Sequence, residues 1–295
     1  METNYYKRNL DVTVWLRALV TDYSIFAIAF FIAAEGGWIA YPIALLLIGI
    51  GQHRIAILAH EGAHGLISQN KQLNHWLAQV FGFWPLMIDM NVYRNFHNDH
   101  HRHTGDEALD PEFELKDNRY HIPLTRTQLY TRFAMDLCGR SIGEFFQVVG
   151  YFAKRGNPVW AISFVVLSCA ASFTIGHPEF FFLFMLAMPT SYWAVFRLRI
   201  YGEHTDTLDT HRVHLKLWQR LLFAPHNIWM HWEHHEHPNV PYYQLPAVRN
   251  VYSDLPITDY DTLIFSGQQS VPADSKFAPG TMPSPGVTSP SRRVA

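Results

Sequence analysis

The sequence has only two cysteines, Cys138 and Cys169, in 295 residues. They lie far apart, and Cys169 falls within an apolar run, so neither a disulfide framework nor a thiolate metal site is indicated. A metal ion bound by this chain must therefore be held by nitrogen and oxygen ligands.

A surplus of basic residues is also lacking. The 23 Lys and Arg residues are balanced by 25 Asp and Glu residues, which gives a net charge of -2. Neutralising nucleic-acid phosphates requires a basic surface, so we expect no nucleic-acid partner. The first twenty residues, METNYYKRNLDVTVWLRALV, have no compact apolar core followed by small residues, so no cleavable signal peptide is expected.

Apolar runs occur in two pairs. Each run approaches the roughly 20 residues that cross a bilayer core. They predict two transmembrane hairpins, and the alternative is four buried core helices of a soluble bundle. The first pair is 18–34 and 38–52, joined by EGG, and the second is 159–175 and 180–196, joined by GHPE.

The placement of basic residues favours the membrane interpretation. Neither hairpin turn contains Lys or Arg, whereas Arg17, Arg54, Lys154 and Arg199 all fall at the opposite ends. The positive-inside rule then places the termini and the polar middle in the cytoplasm. We expect an all-α integral membrane protein with four transmembrane helices and a cytoplasmic helical cap. Residues 1–266 would form one domain, and residues 267–295, rich in Pro, Ser and Gly, a disordered tail.

Histidine is abundant, with 18 residues, and it is clustered in HEGAH from residue 60, HNDHHRH from 97 and HWEHHEH from 231. Such clustering is typical of metal sites. Taken alone, HEGAH matches the pattern in which two zinc ligands lie one helical turn apart, with Glu61 as the base of a protease. An intramembrane zinc protease is therefore one hypothesis, and a histidine-rich metal carrier without enzymatic activity is another.

The histidine spacings are three and four, which place side chains on one face of a helix. A catalytic zinc takes three protein ligands, so nine imidazoles suit two metal ions better than one zinc. Imidazole suits iron, although spacing alone does not distinguish iron from zinc or copper. The nine candidate ligands are His60, His64, His97, His100, His101, His204, His231, His234 and His235.

At these residues the sequence resembles the membrane fatty acid desaturase and hydroxylase superfamily. The boxes HEGAH, HNDHH and HWEHH, the extra His204 and the two intervening hairpins match in order and spacing over about residues 15–250. The resemblance implies two Fe²⁺ ions held by the nine histidines, with no catalytic residue separate from them. It implies O2-dependent desaturation or hydroxylation of an alkyl chain, with a fatty acyl lipid as the expected substrate and a carotenoid or alkane hydroxylase or ketolase as the alternative.

The resemblance also implies a separate electron donor. A fused cytochrome b5 would carry a His-Pro-Gly-Gly signature, but HPEF at 177 and HPNV at 237 lack the glycines. A ferredoxin or cytochrome b5 type protein is therefore the expected partner, together with O2, the lipid substrate and the membrane.

One departure from the acyl-CoA desaturases lies just before the extra histidine. Those enzymes have an asparagine four residues before the extra histidine, whereas this chain has Ile200, and Asn227 is a candidate substitute. Carboxylates near the boxes are candidates for orienting the ligand imidazoles, namely Glu61, Asp99, Asp106, Glu203 and Glu233.

Overall fold

The computed structural model describes residues 10–112 and 121–269. The chain divides into two compact units, one of residues 1–93 and 130–197 and the other of residues 94–129 and 198–295. The single domain over 1–266 stays a prediction. Most of the expected tail, residues 270–295, lies outside the described residues.

The described residues are predominantly α-helical. In chain order the helices are α1 Val12–Ala63, α2 Lys71–Ala78, α3 Met90–His103, α4 Arg126–Leu137, α5 Ile142–Arg155, α6 Pro158–Thr174, α7 Pro178–Ala187, α8 Trp193–Tyr201, α9 Leu217–Leu222, α10 His231–Glu236, α11 Leu245–Val251 and α12 Tyr260–Ser266. Wider π-helical turns occur at Gln79–Phe83 and Met188–Tyr192, and 3₁₀ turns at Trp84–Leu86 and Tyr242–Gln244. The short strands β1 Val213–His214 and β2 Thr258–Asp259 pair in parallel.

Helix α1 folds back on itself at Gly37, whose φ of 57° and ψ of -151° are not helical. Glycine adopts this conformation at little cost. Trp15 Nε1 donates to the Leu58 carbonyl at 3.1 Å, and Arg54 Nε donates to Asp22 Oδ1 at 2.5 Å. A straight helix would hold these pairs roughly 64 and 48 Å apart.

The two arms of α1 therefore form the first predicted hairpin. The second arm continues as helix to Ala63, past the predicted membrane segment 38–52, and so carries the start of the first histidine box, as the spacing of His60 and His64 predicts. The second hairpin is formed by α6 and by the segment Pro178–Tyr201, which joins α7, the π-helical turn and α8, and these lie close to the expected 159–175 and 180–196. Asn157 caps α6 by accepting from the Val159 N–H at 3.0 Å, and both helices begin with a proline.

Small residues allow the helices of the first unit to pack closely. A Cβ added at Gly49 would lie 2.3 Å from Ser191 Oγ and 2.4 Å from the Tyr192 backbone nitrogen. Ser191 Oγ donates to the Leu45 carbonyl at 2.6 Å. Such close approach at small residues is typical of helices that pack in membranes.

The outer surface of the first unit is apolar. Only 17% of the most apolar window of α1 is buried, and Phe31, Trp38 and Ile39 are 67%, 78% and 72% exposed. The core helices of a soluble bundle would bury such side chains, so this surface favours the membrane interpretation.

Within the described ranges, two helices are long and apolar enough to cross a membrane, Val12–Ala63 and Pro178–Tyr201. The bent pair of α5 and α6 is a third candidate if it counts as one span. Four separate crossings, and their orientation, remain a prediction.

Candidate metal centre

Helix α3 carries the second histidine box in the second unit. His97, His100 and His101 are buried, with exposures of 5%, 1% and 9%. Their spacing of three and four residues places them on one face of the helix. The start of α3 is fixed by Gln79, whose Oε1 accepts from the Met90 N–H at 2.8 Å.

His97, His101 and His234 form one cluster of ring nitrogens, whose ligand atoms lie within 4.8 Å of one another. His101 Nε2 lies 2.9 Å from His97 Nε2 and 3.1 Å from His234 Nε2. Nitrogen ligands about 2.1 Å from a metal ion are themselves about 3.0–3.4 Å apart. The cluster therefore has the internal spacing of a metal site.

His100, His204 and His235 form a second cluster, again with ligand atoms within 4.8 Å of one another. His231 Nε2 lies 2.8 Å from His204 Nε2. His100 Nε2 and His235 Nε2 are buried and have no hydrogen-bond partner in the described part of the chain. Because unsatisfied buried nitrogens are costly, their convergence fits binding of a cation.

Two imidazoles of the second cluster are oriented through their other ring nitrogen. His100 Nδ1 lies 3.0 Å from Asp110 Oδ1, and His204 Nδ1 lies 3.1 Å from the Asp209 carbonyl oxygen. Such contacts fix the tautomer and leave Nε2 as the ligand atom. Asp110 was not among the carboxylates expected from the sequence. The sequence shows only that it is an acidic residue shortly after the second box.

The protonation of this cluster follows from burial and from nearby carboxylates. Burial, together with neighbouring imidazoles, holds the pKa values of His231 and His235 well below the usual 6.5. Burial also acts to lower the pKa of His100, but the Glu112 and Asp110 carboxylates outweigh it and raise that pKa. Neutral imidazole is the form that binds metal, so burial favours the metal-binding form of these two side chains.

The expected orienting carboxylates have different roles. Asp99 is exposed and pairs with Arg102 at 2.5 Å, and Asp106 accepts from the Ala108 N–H at 2.9 Å. Both carboxylates therefore bond to residues close to them in the sequence. Glu203 lies 2.9 Å from Arg199 and 3.5 Å from His231 Nδ1, and burial raises its pKa to about 7.

The remaining expected residues near the third box contact other groups. Glu233 binds two arginines, and Asn227 Nδ2 donates to the Tyr242 carbonyl at 3.1 Å.

His60 and His64 lie at the end of α1 in the first unit, with ring centroids 4.8 Å apart. Glu61 Oε1 lies 4.0 Å from His60 Nδ1, a contact at the limit of an ion pair. This end of α1 is held by Asn74 of α2, whose Nδ2 donates to the Gly62 carbonyl at 2.8 Å. The structure thus keeps the first box together on a fixed helix end.

Comparison with known proteins identifies one family. The family model described as fatty acid desaturase matches residues 36–264, which contain the second arm of the first hairpin, the second hairpin and all nine histidines. This match, together with the histidine clusters and the apolar helices, indicates a metal site in a membrane protein.

Similar proteins include desaturases and carotenoid ketolases. Dihydrorhizobitoxine desaturase of Bradyrhizobium elkanii is 32% identical over 33% of this chain and 28% of its own length. Zeaxanthin 4-ketolase of Chlamydomonas reinhardtii is 24% identical over 66% of this chain and 41% of its own length. Sphingolipid delta(4)-desaturase DES1 of Drosophila melanogaster is 23% identical over 80% and 72%. The chain thus spans less than half the length of the first two relatives.

Proposed function

We propose, from the premise that this chain belongs to the fatty acid desaturase family, that it is a di-iron membrane enzyme. It uses O2 to desaturate, or hydroxylate, an alkyl chain, most simply that of a fatty acyl lipid. The observation that carries the proposal is the pair of imidazole clusters, His97 with His101 and His234, and His100 with His204 and His235, all buried except the half-buried His204.

The donor set fits iron. The two clusters contain only imidazoles, and His231 lies beside the second one. We propose that His60 and His64 complete a set of nine ligands, enough for two Fe²⁺ ions with about four or five protein ligands each. When bound, the two ions supply O2 activation and removal of hydrogen from an unactivated C–H bond.

The residues of the chain fix the positions of the ligand imidazoles and of the substrate. Asp110 and the Asp209 carbonyl turn Nε2 of His100 and His204 toward the centre of the second cluster. The apolar helices hold the alkyl chain, so that one pair of carbons is presented for reaction and the others are kept away. Small differences in that position decide between desaturation and hydroxylation.

Electrons must enter from another protein. Desaturation removes two hydrogen atoms from the substrate, and two electrons and two further protons complete the reduction of one O2 to two waters. We propose a separate ferredoxin or cytochrome b5 type donor that docks on the cytoplasmic face, where the histidine boxes and both termini would lie if the chain crosses the membrane four times.

A carotenoid ketolase or hydroxylase is the second candidate. It is favoured by similarity to ketolases over 66% of this chain, for example the beta-carotene 4-ketolase of Protosiphon botryoides at 26% identity. A carotenoid substrate would need the same metal centre, so only product analysis distinguishes the two candidates.

The test is expression in a host with a simple lipid profile, followed by mass spectrometry of its lipids and pigments. We expect a new double bond, hydroxyl or keto group with the wild type, and loss of that product with His101→Ala. The matched control is His103→Ala, which removes a histidine of the same helix that belongs to neither cluster. A product that survives His101→Ala would refute the role of the clusters.

A further inference from the structure

The third histidine box lies on a helix that needs outside support. Helix α10, His231–Glu236, has six residues and no side-chain hydrogen bond at its N-terminal cap. Helices this short are not stable by themselves. The direction in which its three histidines point must therefore be fixed by the residues that pack around it.

Glu233 holds this helix from the face opposite the histidines. At 3.6 residues per turn it lies about 150° around the helix from the mean direction of the three histidines. Its side chain is fully buried, with 0% exposure. Glu233 Oε1 accepts from Arg212 Nε and from Arg249 Nε, each at 2.8 Å, and Oε2 accepts from Arg249 Nη2 at 2.8 Å. Two-fold binding by one guanidinium fixes orientation as well as distance.

The two arginines attach α10 to other segments of the second unit. Arg249 Nη1 donates to the Val213 carbonyl of β1 at 2.9 Å, and Arg212 Nη1 donates to the Leu255 carbonyl at 2.6 Å. The Arg212 carbonyl accepts from the Thr258 N–H of β2 at 3.1 Å. Glu233 is thereby tied to both short strands and to α11, which carries Arg249.

The same segment reaches the loop of His204. His211, the neighbour of Arg212, donates its backbone N–H to the Glu203 carbonyl at 2.8 Å, and its Nε2 lies 2.7 Å from the Thr205 carbonyl. These hydrogen bonds hold the backbone of the residues on both sides of His204. His204 Nε2 in turn lies 2.8 Å from His231 Nε2 on α10.

We propose that Glu233, Arg212 and Arg249 form a positioning clamp, which sets the distance between His204 and the histidines of α10. This inference rests on the proposed function, because it gives the second cluster a metal ion to bind. The clamp buries two positive charges and one negative charge. Removal of Glu233's charge leaves both guanidinium groups without their anion, and they must separate. The metal site then loosens although every ligand is still present.

The test compares metal binding by the full chain in detergent. Fe²⁺ and Co²⁺ are titrated into wild type and Glu233→Gln, and Co²⁺ absorption reports ligand geometry. We expect about tenfold or more weaker Co²⁺ binding and an altered spectrum, as for other residues that support metal ligands. The matched control is Asp136→Asn, because buried Asp136 accepts from Arg197 Nε at 2.5 Å in the first unit. It should lower thermal stability and leave the spectrum unchanged.

A conservative variant separates positioning from folding. Arg249→Lys keeps the charge but loses the two-fold binding, so we expect an intermediate loss of Co²⁺ affinity. If Glu233→Gln does not fold, the Co²⁺ affinity of Arg249→Lys tests the clamp in its place. If wild type binds two Co²⁺ ions and both clamp variants match it in affinity and spectrum, the clamp is refuted. It is also refuted if Asp136→Asn changes the spectrum equally. Wild type that binds neither metal contradicts the proposed function, and the clamp with it.

Discussion

At the residue scale, the candidate site depends on which ring nitrogen each histidine turns inward. His100 uses Nδ1 for Asp110, and His204 uses Nδ1 for the Asp209 carbonyl, so both offer Nε2. An imidazole fixed in this way loses less freedom when it binds a metal ion. The contacts that hold Nδ1 therefore contribute to metal affinity although they touch no metal ligand atom.

Asp110→Asn should weaken the second cluster. The amide lacks the negative charge that holds His100 Nδ1–H, so we expect metal affinity to fall by about 10- to 100-fold. Fe²⁺ titration of the purified protein measures this. Asp99→Asn is the control, since exposed Asp99 pairs with Arg102 and should bind Fe²⁺ as wild type does. Equal affinity in the two variants would exclude the orienting role of Asp110.

Gly105→Ala should displace the loop that orients His204. Gly105 has a φ of +81°, and an added Cβ would lie 1.9 Å from the Leu208 carbonyl oxygen. Alanine pays about 1–2 kcal/mol for the left-handed conformation alone, and the backbone clash adds to this. We expect loss of iron from the second cluster, measured as iron per chain.

The control for this variant is Gly150→Ala, where a Cβ meets nothing within 4 Å. That change lies inside helix α5 and should stabilise the protein by roughly 0.5–1 kcal/mol. Full iron content in Gly105→Ala would contradict a role in metal binding for the loop that orients His204.

The site could be predicted from the sequence only in part, for physical reasons. Residues three and four apart lie on the same face of a helix, so the clustering of His97, His100 and His101 follows from the sequence. Asp110 does not follow, because its contact with His100 depends on a loop that Gly105 folds back. With 25 acidic residues in the chain, no local pattern selects that one.

At the element scale, the two apolar hairpins follow from the length of the apolar runs and from their turns. Helix α1 continues past the predicted membrane segment 38–52 to Ala63, because the polar stretch after the apolar run keeps helical hydrogen bonding, and the spacing of His60 and His64 predicts such a helix. The wide turn Met188–Tyr192 was not expected. It contains Pro189, which brings no N–H, and Gln52 Nε2 donates to the nearby Phe184 carbonyl at 2.8 Å. Hydropathy carries no signal for such a partner.

Gly49→Ala should destabilise the crossing between α1 and the turn at Met188–Tyr192. The new methyl group would meet Ser191 Oγ and the Tyr192 nitrogen at 2.3 and 2.4 Å, so backbone must move. Overpacking of this kind costs about 1–3 kcal/mol. We expect a lower temperature for loss of the monodisperse peak in size-exclusion chromatography. Gly143→Ala, with open space around it, should not lower that temperature.

At the scale of the whole molecule, the proposed topology has four membrane crossings. Trp38, beside the first hairpin turn, and Cys138, between the hairpins, would then face opposite sides of the membrane. In a variant lacking Cys138 and Cys169, Trp38→Cys should react with an impermeant maleimide in intact cells. A variant that keeps Cys138 but lacks Cys169 should react only after permeabilisation. Reaction of both in intact cells would contradict the topology.

The iron content of the purified full chain tests the central claim most directly. Nine imidazoles in the proposed arrangement predict about two iron ions per chain in the wild type and a clear reduction in His101→Ala. Both values come from elemental analysis of protein reconstituted with Fe²⁺ without oxygen. One zinc per chain with no iron, unchanged by His101→Ala, would contradict the di-iron site and favour a zinc site at His60 and His64.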